Sequence, residues 1–85
     1  MDIDSYVKTI TTRQEFAIFV KMLYKDLMED ESNWDNIALS QYLESMSAYA
    51  EVMHVNYMHR KIEENADEAT WKRFAQILLA ATVYD

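Results

Sequence analysis

Apolar positions recur at steps of three and four in three stretches of this chain, which is the spacing of helices that each bury one face. Thr12-Arg13-Gln14-Glu15 has the form of a capping box, so the first of them starts there. Phe16, Phe19, Val20, Leu23 and Leu27 then share a face that reads as core, while Lys21, Lys25 and Glu29 form a solvated flank. Glu29-Asp30-Glu31 puts three acids where the helix dipole disfavours them, which predicts an end near residue 29.

Residues 32–36 connect, and Asn36 is the expected N-cap of the next helix. Leu39, Leu43, Met46, Ala50, Met53 and Tyr57 form a heptad-like seam flanked by Tyr42 and Tyr49. Run from residue 37 to 62 this helix outgrows its neighbours, so it overhangs, kinks or breaks between His54 and Asn65. Asn65 with Glu68, or Asp67, is the expected cap of a third helix over 68–84. Its inward stripe is Trp71, Phe74, Ala75, Leu78 and Ala81, with Thr82 at the margin, yet Ile77, Ala80 and Tyr84 make the opposite side apolar too. Ile3, Tyr6, Val7 and Ile10 suit a short leading helix across one end. The expectation is one all-α domain over residues 1–85: a three-helix bundle (13–29, 37–62, 68–84) with a short extra N-terminal helix, no sheet, and Phe16, Phe19, Leu23, Leu43, Met46, Phe74 and Leu78 buried together.

Composition sharpens this. The chain has no Gly, Pro or Cys, which leaves no linker or internal breaker, no disulfide and no thiolate metal site. A hydrophobic fraction of 51% excludes a disordered chain. Fifteen acids against 8 bases, a charge of -7, argue against direct nucleic-acid binding, which draws on Lys and Arg, and favour a basic protein partner. Asp2 and Asp4 stand where a signal peptide would be basic, and the longest apolar run, residues 77–81, is far below the ~20 needed to span a bilayer. A cytoplasmic protein with no membrane association is expected.

Candidate chemistry is sparse. Glu51-x-x-His54 is half of a di-iron motif, but the second copy and the facing glutamates are missing, and no nucleophile or oxyanion loop accompanies it. No metal, cofactor, catalytic residue or enzymatic activity is expected. The acids fall into two groups, Asp26, Glu29, Asp30, Glu31 and Asp35 at the first connection and Glu63, Glu64, Asp67 and Glu68 at the second, which successive turns place at opposite poles. The plain account is a solvated surface with tryptophans packed at helix starts. The functional account is electrostatic steering onto a basic surface through Asp30, Glu31, Trp34, Asp35, Tyr42 and Tyr49. Ile77, Ala80, Val83 and Tyr84 offer a second surface, through which the chain would pair with its own copy as a homodimer.

Thr12-x-x-Glu15-Phe16, then Trp34-x-Asn36-x-x-Leu39-x-x-Tyr42-Leu43-Glu44, then Trp71-Lys72-x-Phe74-Ala75-x-Ile77-Leu78-x-Ala80-Ala81-x-x-Tyr84-Asp85, resembles a family of short, functionally uncharacterised bacterial helical proteins over residues 12–85. The chain departs from that family's pattern in lacking a Gly- and Pro-containing loop before Trp71, a Trp at Tyr49 and a Glu at Asp85. The resemblance implies a small helical protein of the kind met in toxin-immunity and phage-conflict settings, with no known reaction. Glu15-Phe16 with Phe19-Val20-Lys21 is also similar to the first helix of the acidic immunity proteins that neutralise nuclease colicins. The function expected from both lines is an immunity-type or inhibitor protein that neutralises a basic toxin or nuclease. The alternatives are an anti-defence protein that mimics nucleic-acid charge and a self-associating structural module.

Overall fold

The computed structural model describes residues 2–84, and every regular element among them is helical. Helix α1 covers Ile3–Val7, α2 Arg13–Glu29, α3 Leu39–His59 and α4 Trp71–Ala81, with a 3-10 turn at Glu31–Asn33. The capping box forms as its spacing requires: the Thr12 hydroxyl accepts from the Glu15 N–H at 3.1 Å, and the Glu15 carboxylate accepts from the Thr12 N–H at 3.1 Å. That carboxylate also accepts from the Thr11 N–H and hydroxyl, and these bonds hold its pKa below the ordinary value.

The helix ends are where long-range partners overrule the local pattern. Asn36 does not cap α3, whose N-cap is Ala38 with no side-chain bond; its buried amide instead reaches the far end of α4. Asn65 and Asp67 do not cap α4 either. Asn65 accepts from the Asp67 N–H within the connection, and the Thr70 hydroxyl caps the helix by accepting from the Arg73 N–H at 3.0 Å. Helix α3 closes with a Schellman motif, Ile62 N–H donating to the Tyr57 carbonyl at 2.9 Å and Lys61 N–H to that of Met58 at 3.2 Å. The left-handed position falls to Lys61, with φ 57°, because the chain has no glycine to put there. Its 21 residues, ~31 Å at 1.5 Å each, then stay within the 35 Å long dimension of the molecule.

Helix α4 is the central element. It packs against α1 and α2 on one side and α3 on the other, and among the helices α3 touches α4 alone. This is why α4 is apolar on nearly every side: both faces are covered from within the chain. The core joins Val7, Ile10, Phe19, Leu23 and Ala75, with Phe16, Trp34, Leu78 and Leu79 against it. Two residues expected there are outside it: Leu43 is 52% and Phe74 40% exposed, while Met46 is half-buried. The reason is the rotation of α3. It turns Tyr42, Ser45, Tyr49, Met53, Asn56 and Tyr57 inward, so Leu39, Leu43 and Ala50 of the expected seam face solvent. Polar Ser45 and Asn56 win inward positions by bonding, the Ser45 hydroxyl donating to the Tyr84 carbonyl at 2.6 Å and the Asn56 amide to the Tyr49 hydroxyl at 3.2 Å.

Candidate functional site

Most of the aromatic side chains expected at an interface are spent inside the molecule. The Trp34 ring stacks on Tyr42 at 5.7 Å and its Nε1 donates to the Asp26 carboxylate at 2.9 Å. The Tyr42 hydroxyl donates to the Leu78 carbonyl at 2.8 Å, and burial pushes its phenol up to about 12. Tyr49 and Tyr84 meet edge to face at 5.5 Å. Trp34, Asn36 and Tyr42 thereby join Leu78, Ala81 and Tyr84: the second and third of the three sequence motifs that carry the family resemblance are two halves of one packing arrangement around the end of α4. Ile77, Ala80 and Tyr84 are half-buried, and of the expected self-association residues only Val83, at 49%, is openly exposed.

The two acidic groups sit at opposite ends of α4. Asp35 and Asn36 donate their N–H groups to the Thr82 carbonyl at its C-terminal end, and Glu64 pairs with Arg73 near its N-terminal end. They are not equivalent. Glu64 and Glu68 lie at a helix N-terminus, where negative charge is stabilising, and flank Arg73, which is 5% exposed. Arg73 donates to the Glu64 carboxylate at 2.9 Å, the Glu68 carbonyl at 2.8 Å and the Tyr57 hydroxyl at 3.3 Å, and lies over the Tyr57 ring. Burial opposes its charge, but the Tyr57 hydroxyl and the two carboxylates outweigh it, so its pKa is raised. In this pole the Glu64 carboxylate is engaged in the fold, while those of Glu63, Asp67 and Glu68 are exposed. Sequence reasoning passed over Arg73; the signal was its place in the first turn of α4 beside the second acidic run.

The first pole has no such role to account for all of it. Asp26 accepts from Trp34, and Asp30 caps the 3-10 turn by accepting from the Ser32 N–H and hydroxyl, which lowers its pKa. Glu29 is exposed at the C-terminal end of α2, where the dipole disfavours negative charge, and exposed Glu31 follows as the first residue of the 3-10 turn. Beside them runs a groove of about 620 Å³ between α1 and α2. Ile3, Ile18 and Met22 form its apolar floor, and Asp2, Asp26 and Glu29 its acidic rim, interrupted by Lys25. Ile18, Met22, Lys25 and Glu29 follow at steps of four, three and four, a second stripe on α2 beside the core stripe of Phe16, Phe19 and Leu23.

Glu51 and His54 are both exposed on α3, and among the described residues no three His, Asp or Glu side chains gather closely enough to hold a metal. No helix of the described residues is long and apolar enough to cross a membrane. The chain belongs to a family of unknown function (DUF7660), whose model matches residues 12–85. No curated protein and no solved structure matches it significantly.

Proposed function

We propose that this protein works by binding a basic protein, as an immunity-type or inhibitor protein that covers the cationic surface of a toxin or nuclease. The observation that carries the reading is the acid-rimmed apolar groove between α1 and α2, adjoining the exposed carboxylates of Glu29 and Glu31. An apolar floor under a carboxylate rim suits a Lys or Arg side chain, whose stem is apolar and whose head is charged. Glu29, Asp30, Glu31 and Asp35 extend the same negative field beyond the groove, and such fields raise association rates more than affinity. In this reading Ile18 and Met22 are the anchors, since the rings of Tyr42 and Tyr49 are engaged within the fold. That leaves Trp34 and the two tyrosines as supports of the surface.

The test is affinity capture from host cells followed by binding kinetics with the purified partner. Glu29→Lys and Glu31→Lys, which touch no bond of the fold, slow association and flatten its salt dependence, while Ile18→Ala speeds dissociation. A ligand that is a nucleic acid or a metabolite, or an association rate indifferent to salt and to both reversals, overturns the reading.

A further inference from the structure

In a chain with 15 acids and 8 bases, three of the bases line one groove. Lys8 comes from the end of α1, Arg60 from the end of α3 and Lys72 from the first turn of α4, and they border a space of about 450 Å³ whose lining includes one carboxylate, Asp4. Among the described residues no ion pair engages any of the three.

The neutral lining is donor-rich for a chemical reason. The Tyr57 hydroxyl accepts from Arg73 Nε, and a guanidinium has no acceptor to offer in return, so the Tyr57 proton goes to Gln76 Oε1 at 2.8 Å. Gln76 is thereby fixed with its NH2 group as the free edge. On the opposite wall the Tyr49 hydroxyl accepts from the Asn56 amide and keeps its own proton to give. Three cations, an amide NH2 and a phenol O–H outnumber the acceptors of the lining, the Asp4 carboxylate and the Asn56 amide oxygen, so the groove favours a ligand that supplies acceptors. Leu79 and Ala80 add an apolar wall for an uncharged body. A phosphate monoester meets this set better than a carboxylate, having three acceptor oxygens and close to two charges at neutral pH.

We propose that this groove between α1, α3 and α4 binds a small phosphate monoester, independently of the protein-binding face on α1 and α2. The test is an amide NMR titration of the full chain with inorganic phosphate and then glycerol phosphate, with succinate and chloride as controls. Saturable shifts centred on Lys8, Arg60, Lys72 and Gln76 are expected, with glycerol phosphate binding more tightly than inorganic phosphate. Gln76→Glu keeps the acceptor for Tyr57 but replaces the donor by a negative charge, and it weakens binding by about tenfold or more. Lys72→Gln also weakens binding by about tenfold, and Lys21→Gln, outside both grooves, leaves it unchanged. Shifts that chloride reproduces, shifts spread over Lys21 and Lys25, succinate binding as tightly as phosphate, or a folded Gln76→Glu or Lys72→Gln variant that binds like the parent overturns the proposal.

Discussion

The Asn36 amide donates at 3.0 Å to the carbonyl of Ala81, 45 residues away, and at 2.9 Å to that of Tyr84. A helix end needs partners for its last carbonyls, and in a chain without glycine α4 takes them from a distant loop. Asn36→Ala therefore leaves two carbonyls without that donor and costs about 1–3 kcal/mol, and Asn36→Asp, which puts an anion against the same oxygens, costs more. Urea unfolding of both variants checks the order; an Asn36→Asp protein as stable as the parent contradicts the geometry.

Core and surface phenylalanines separate in the same assay. Phe19 is fully buried, so Phe19→Ala costs about 3–5 kcal/mol, whereas the 40% exposed Phe74 loses about 1–2 kcal/mol on the same change. Equal losses at the two positions would place Phe74 in a core that α3 does not enclose.

These residues show what local pattern reveals. The Thr12 box is read correctly because its partners lie within a few residues, and Phe19 and Leu23 of the α2 stripe are buried as expected, whereas Val20, counted on the same face, is 40% exposed. The face of α3 is misread because counting apolar positions favours Leu39, Leu43 and Ala50, while the inward face is chosen by Tyr42, Ser45 and Asn56, two of which bond to residues in or just beyond α4, almost forty positions away. The acid-rimmed groove on α1 and α2 is likewise absent from a reading of single helices, since its floor joins Ile3 to Ile18 and Met22. Asn36 was visible as a polar residue between Trp34 and Tyr42, but the sequence offers no sign that its partner is the far end of the chain.

Arg73 and Glu64 make unequal contributions to their pair. Arg73 is buried and serves three acceptors, so Arg73→Ala, which leaves them without that donor, costs about 1–3 kcal/mol. Glu64 is 51% exposed, so Glu64→Gln, which keeps an acceptor oxygen, costs under about 1 kcal/mol. Thermal melts of the two variants decide; a Glu64→Gln loss matching that of Arg73→Ala would mean the ion pair, and not the wider set of bonds, secures this end of α4.

Tyr42 gives the molecule an alkaline weakness. Its folded pKa is raised to about 12 by burial, from 10.0, so folding favours the neutral phenol. Its contribution is complete below the unfolded pKa of about 10 and is lost as pH rises through about 12, because the unfolded chain ionises first. Unfolding free energies measured across that interval fall more steeply for the parent than for Tyr42→Phe, which has no proton to lose there. Parallel slopes would remove Tyr42 from the account.

Because α3 meets no helix except α4, the molecule has a seam along which it can part while the core cluster stays closed. Detaching α3 breaks one helix interface and the bonds from Tyr42, Ser45 and Tyr57, and it leaves the cluster of Val7, Ile10, Phe19, Leu23 and Ala75 assembled. Cooperative units bounded this way open at free energies below global unfolding. Backbone amides of α3 accordingly exchange with deuterium sooner than those of α2, and a protease that reaches the chain first through this opening cuts within or beside α3 while the three remaining helices are still joined.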